Sequence, residues 1–164
     1  MPMNEQVLKD ALRLPQWEVL PDFGLYMDQV IVLIEKAIRD VLPAGELTKS
    51  MVNNYVKVGL IPRPTGKKYD REHLAMLLMI CILKQALSME EIAELLGMLC
   101  EKGVQQGYEQ FLAEVEGLRE AAISGKIDLW LEYADEARQA LRAGVVAAIC
   151  TIVARAMINA WKNK

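Results

Sequence analysis

The sequence is short of the residues that usually carry chemistry. It holds one histidine, His73, and three widely separated cysteines, Cys81, Cys100 and Cys150. An odd number of cysteines without C-x-x-C spacing argues against a disulfide framework and against a zinc site. All three are expected as buried, reduced thiols of a cytoplasmic protein. His73 stands without a carboxylate–cysteine constellation, and no phosphate-binding glycine loop or nucleophile elbow is present. The chain is therefore expected not to be an enzyme, with no cofactor and no metal. Aromatic residues are scarce at 6%, while Met, Leu and Ala are plentiful, a balance that favours helix.

Uninterrupted apolar runs of membrane length are also missing. The opening "MPMNEQVLKDALRLPQW" has no apolar core of signal-peptide length. The strongest candidate, "AGVVAAICTIVARAMINAW", meets Arg155 after a run too short to span roughly 30 Å of hydrocarbon. It reads as a buried helix, and no membrane partner is expected. Excess positive charge is lacking too. The net charge of −3 leaves any affinity for polyanions to a local surface.

What is present is a real core. Just over half of the residues are apolar and a quarter are charged, the composition of a soluble globular chain. Its length of 164 residues suits one domain, or a small head with a helical extension. A short helix is expected up to Leu14, then a loop through "PQWEVLPDFG". Residues 25–42 carry Val30, Leu33, Ile34, Ala37, Ile38 and Val41 at helical spacing. A compact helix follows, stopped by Gly59. "LIPRPTGKKY" has too much proline and glycine for a helix and reads as a tight turn or small hairpin. Asp70 caps a helix whose stretch Leu74–Leu83 is apolar on every side and must be buried all round. "SMEE" is a capping box of Ser88 and Glu91, opening a helix with Met89, Ile92, Ala93 and Leu96 on one face. Glu90, Glu91 and Glu94 are read as capping and solvation, not as metal ligands. After Gly97–Gly107 the chain resumes as "YEQFLAEVEGLREAAI". A final helical pattern runs from about Ile127 to Trp161, with Gly144 as a candidate bend. The fold class is all-α.

Two features point to function. On a helical wheel of residues 49–58, Lys49, Ser50, Asn53, Asn54 and Lys57 share one arc, while Met51, Val52, Tyr55, Val56 and Val58 fill the other. Asparagine can pair with an adenine edge, and lysine can serve guanine or phosphate. Charge is also segregated. Residues 46–71 carry Lys49, Lys57, Arg63, Lys67, Lys68 and Arg71 against Glu46 and Asp70, a net +4, whereas residues 72–140 sum to −8. A positive surface on an acidic body commonly meets phosphate.

The stretch "NNYVKVGLIPRPTGKKYDREHLAMLLMICILKQALSMEEIAELL" resembles the winged helix-turn-helix head of MerR-type bacterial regulators. The likeness rests on Tyr55, Gly59, Leu60, Ile61, Pro62, Tyr69, Asp70, Leu74, Ser88, Glu91, Ile92 and Leu96. The whole chain is also similar to an uncharacterised family of small Gram-positive bacterial proteins built on this head. The resemblance implies a sequence-specific DNA-binding protein, a transcriptional regulator with a recognition helix (48–58) and a basic wing (60–70). It puts Lys49, Ser50, Asn53, Asn54 and Lys57 in the major groove, with Arg63, Lys67, Lys68, Tyr69 and Arg71 as wing and backbone contacts. The chain departs from the MerR pattern in reading "NNY" where Arg-Tyr-Tyr is usual, and in a longer first segment. The implied organisation is an N-terminal arm (1–24), the head (25–97) and a C-terminal helical region (98–164) that pairs two copies into a homodimer. Double-stranded DNA is the expected partner. A small-molecule effector between the C-terminal helices has no polar constellation to support it. The competing reading is a protein–protein interaction module that uses the same head on an acidic partner. Arg155, in mid-run, calls for a partner such as Glu132 or Asp135.

Overall fold

The structure, a computed structural model, describes residues 13–40, 42, 45–124 and 135–162. Among them are six α-helices: α1 (Met27–Ile38), α2 (Lys49–Lys57), α3 (Arg71–Leu83), α4 (Met89–Leu99), α5 (Val104–Ser124) and α6 (Glu136–Lys162), preceded by a 3-10 turn at Trp17–Val19. No extended strand occurs among the described residues. The all-α expectation holds. The helix expected before Leu14 falls largely on residues 1–12, outside the described residues, as do Val41 and residues 125–134 ahead of α6.

Helix α3 is the axis of the molecule. Every side chain from His73 to Leu83 is buried, as a stretch with no polar face requires. It packs against α1, α5 and α6, and α4 closes against α5 and α6. Each fully buried Leu or Ile contributes about 1.5–3 kcal/mol, so this one helix supplies a large share of the driving force. A single apolar cluster runs from Leu14 to Ala148, with no break in the core at residue 97. The N-terminal segment is clamped to α5, where the Tyr108 hydroxyl donates to the Pro15 carbonyl at 2.7 Å.

The ends of α3 and α4 follow the sequence. Ser88 Oγ accepts from the Glu91 amide at 3.2 Å, and Glu91 Oε2 accepts from the Ser88 amide at 2.7 Å. Asp70 Oδ1 accepts from the His73 amide at 3.2 Å. Partial burial works against the Asp70 carboxylate, but the hydrogen bonds from the His73 backbone and side chain outweigh it and hold the carboxyl below its usual value. A lowered folded-state pKa means a contribution present above the unfolded pKa and lost as pH falls through the folded one. Asp70→Ala is expected to destabilise by about 1 kcal/mol at neutral pH. The difference should fade as pH falls through the lowered folded-state pKa; thermal melts of both proteins at neutral and at acid pH check it.

Several glycine readings change. Gly97 and Gly107 do not bound helices; they lie inside α4 and α5, and Gly103, with φ +116°, makes the break. At Gly107 an added Cβ would sit 2.9 Å from both the Leu99 carbonyl oxygen and Cys100 Sγ, so glycine is kept for close approach. Helix α6 is continuous through Gly144, whose bare backbone faces Leu83 and Leu87. Ala93 is exposed, and Leu95 and Leu99 join Ile92 and Leu96 on the buried face of α4. Cys81 is buried, with burial pushing its thiol up to about 12; Cys100 is half-buried and Cys150 exposed, contrary to expectation.

Helix α6 is also less covered than its composition suggests. The span Glu136–Arg155 is long and apolar enough to cross a membrane by length and composition, yet only 33% of it is buried. Its inner side is fixed by charge. Glu114 of α5 is fully enclosed and lies 3.3 Å from both Arg138 Nη2 and Arg142 Nη1.

Candidate nucleic-acid interface

Helix α2 is a short helix held at both ends. Thr48 Oγ1 accepts from the Met51 amide at 3.2 Å. At the other end Gly59, with φ +76°, takes the left-handed turn, and the Leu60 amide reaches the Tyr55 carbonyl at 2.8 Å. This pattern satisfies carbonyls that the helix leaves open. The connection from α1 spans residues 39–48, longer than the three- or four-residue turn of a compact helix-turn-helix. A carboxylate of α1 gathers it in: Glu35 Oε2 accepts from the Gly45 amide at 3.1 Å and Oε1 from the Leu47 amide at 2.8 Å.

The wheel divides as its residues require, with one exception. Val52 and Tyr55 are buried and Met51 and Val56 half-buried, while Lys49, Ser50, Asn53, Asn54 and Lys57 are exposed. Val58 is 63% exposed, because it is the C-cap and lies beyond the helical repeat. Burial, then nearby Cys81 and Glu46, pushes the Tyr55 phenol up to about 12. The side chains of Ser50, Asn53, Asn54 and Lys57 make no hydrogen bond or ion pair among the described residues. Lys49 pairs with Asp28 at the start of α1.

The chain from α2 to α3 is pinned by its apolar and aromatic members. Leu60 and Ile61 are buried, and His73 Nε2 lies 3.2 Å from the Pro62 carbonyl. Gly66 and Lys67 both have positive φ, 56° and 62°, and Lys68 N–H meets the Thr65 carbonyl at 3.0 Å. Two such residues between paired ends make the tight hairpin turn of the primed type. Leu25 and Tyr69 exchange backbone hydrogen bonds, both 2.8 Å, which ties the hairpin base to the segment before α1. Arg63, Lys67 and Lys68 are exposed, and the Lys68 ammonium stands 5.4 Å from the Tyr26 ring centroid.

Two expected contact residues are turned inward. Tyr69 is only 4% exposed and packs edge-on to His73 with ring centroids 5.3 Å apart. Its backbone is a rung of the hairpin base, so its ring faces the core. Arg71 is half-buried; its Nε donates to the Leu20 carbonyl at 2.9 Å and its guanidinium lies 5.6 Å from the Trp17 ring. It fastens the N-terminal segment and is not a free cation. Arg155 also differs from expectation. It donates from Nη1 to Gln85 Oε1 at 2.6 Å, whereas Glu132 lies outside the described residues.

The sequence reading missed the residues that hold α2 from behind: Glu35, Glu46, Lys84 and Gln85. Glu46 Oε1 lies 3.0 Å from Lys84 Nζ and accepts from Gln85 Nε2 at 2.6 Å. Their partners sit ten or more positions away in sequence, so no local spacing announces them. Away from this surface an open cleft of about 470 Å³ lies between the end of α4, α5 and the start of α6, lined by Lys102, Gln106, Gln110, Asp135 and Glu136 among others. No cluster of three or more His, Cys, Asp or Glu suited to a metal occurs among the described residues.

Residues 15–111 match the family described as a domain of unknown function (DUF1836). The match takes in the N-terminal segment, α1–α4 and the first part of α5. Neither the curated proteins nor the solved structures include a match to this chain.

Proposed function

The chain belongs to the DUF1836 family, and for it we propose that residues 48–70 form a surface that reads double-stranded DNA, with α2 in the major groove and the hairpin on the backbone. In this proposal the head works as a MerR-like winged helix-turn-helix with a long first connection, and the protein as a cytoplasmic transcriptional regulator. One observation carries this reading. The exposed Ser50, Asn53, Asn54 and Lys57 of α2 spend no side-chain hydrogen bond or ion pair inside the described protein, and the adjoining hairpin offers Arg63, Lys67 and Lys68 to solvent. A polar row without internal partners beside cations is suited to bases and phosphates together. The lightly covered span of α6 supports pairing of two copies, which would address two half-sites about one DNA turn apart.

Selection of bound fragments from random duplex DNA at physiological ionic strength tests the proposal. A recurrent motif is expected, with half-sites at that spacing. Asn53→Ala and Asn54→Ala should relax base preference by about 1–3 kcal/mol per lost bidentate contact. A loss that is uniform across sequences would argue against groove reading. The exposed Val58 and Phe23, both 63% accessible, favour as second reading an acidic protein partner with an apolar contact. Failure of duplex DNA to compete for such a partner would favour it over DNA.

A further inference from the structure

The back of α2 is wired to the far end of the chain through one side chain. Gln85 lies just past α3 and uses both ends of its amide. Oε1 accepts from Arg155 Nη1 of α6 at 2.6 Å. Nε2 donates to Glu46 Oε1 at 2.6 Å and to the Cys81 carbonyl at 3.1 Å. Glu46 is in turn gripped by Lys84, whose ammonium lies 3.0 Å from Oε1 and also donates to the Glu46 carbonyl. The next residue, Leu47, is buried and gives its amide to Glu35, and the one after is Thr48, the N-cap of α2. The phenol of Tyr55, on the inner face of α2, also feels the charge of Glu46. The chain of contacts therefore runs from Arg155 through Gln85 and Glu46 to the start of α2.

The orientation of the amide is dictated by chemistry. A guanidinium can only donate and a carboxylate can only accept, so Gln85 must turn its oxygen to Arg155 and its nitrogen to Glu46. A flipped amide would face donor to donor and acceptor to acceptor. Gln85 is thus a directional joint, and a charged side chain of either sign would serve one neighbour and repel the other. Arg155 itself is exposed and lies on the less covered half of α6, where a load on that helix would move it.

We propose that Gln85 is a positioning residue for α2, through which the C-terminal half of α6 sets the end of α2 that carries Lys49 and Ser50. As regulation of the DNA surface this rests on the reading above; as a mechanical link it stands on the contacts alone. Events on α6 and events on α2 then bias each other, and by linkage the bias is reciprocal.

Backbone amide exchange on the full chain tests the link without DNA. Gln85→Met and Arg155→Met should each speed exchange at Leu47, Met51 and Val52 by roughly fivefold, the factor for one ordinary hydrogen bond. Amides in the middle of α3 and α5 should stay as they were. Gln85→Glu should keep Arg155 but repel Glu46, and so match Gln85→Met at Leu47. Arg155→Lys should restore the wild-type pattern in part. Duplex affinity should fall by a factor of roughly two to five in the first two variants. Unchanged exchange at Leu47 and Met51 in Arg155→Met overturns the link, and so does a rise spread evenly over α3, which would mean general loosening. If exchange responds while wild-type protein ignores duplex DNA, the DNA reading falls and the link stands.

Discussion

Neutralising the hairpin with Arg63→Gln, Lys67→Asn and Lys68→Gln is expected to lower affinity for duplex DNA by about 100-fold at physiological salt, evenly across sequences. The size follows from counterion release: three phosphate contacts contribute a salt slope of about 2.7, which is about two orders of magnitude near 0.15 M. The substitutions are chosen to leave the turn intact. Lys67 sits at φ 62°, a region that asparagine tolerates better than alanine. Lys68 lays its stem against Gly24, where an added Cβ would meet Lys68 Cβ at 2.8 Å, so a long neutral side chain is needed there. Affinity measured across a salt series should give a line flatter by about two to three units. An unchanged slope, or a loss confined to particular sequences, would remove the hairpin from the phosphate backbone. Arg71→Gln belongs to a different class. Its guanidinium is spent on Leu20 and Trp17, so its loss should appear in stability before it appears in binding.

The largest effect on stability is expected at Glu114. Its carboxylate is 2% exposed and faces Arg138 and Arg142, the second of them also buried. Glu114→Ala removes the acid that Arg138 and Arg142 share, and breaking a buried ion pair from one side costs about 3–5 kcal/mol. Against a typical total of 5–15 kcal/mol that is enough to shift the urea midpoint by more than about 1 M. The paired replacement Glu114→Leu with Arg142→Leu removes the buried pair from both sides, leaves the more exposed Arg138 to solvent, and should recover most of the loss. Urea unfolding of both variants decides the matter. A midpoint for Glu114→Ala close to wild type would show that solvent reaches the arginines and that the clasp between α5 and α6 is weak.

The position of Glu114 shows where reading from sequence stops. On a wheel it is one acid among many in "YEQFLAEVEGLREAAI", and nothing local separates it from exposed Glu109 and Glu116. Only the approach of α6 makes it interior. Tyr69 and Arg71 fail for a related reason. Each belongs to a basic, turn-rich stretch and so reads as surface. Pairing of Tyr69 with Leu25 and the reach of Arg71 to Leu20 involve a segment more than forty residues earlier. Val58, by contrast, lies one residue past the last turn, where the helical repeat no longer sets which way a side chain faces. The exposed set Lys49, Ser50, Asn53, Asn54 and Lys57 was legible because amphipathic spacing is a local property.

The sequence by itself determined the helical class, the central all-apolar helix, the caps at Asp70 and Ser88 and the stop at Gly59. Each depends on residues within a turn or two of one another, where propensity, capping and periodicity act. Tertiary structure alone decided which cations stay free, which acid is enclosed between α5 and α6, and how Gln85 joins α6 to the start of α2. Those outcomes depend on which distant side chains meet, and the cost of burying an unpaired charge is settled by that meeting.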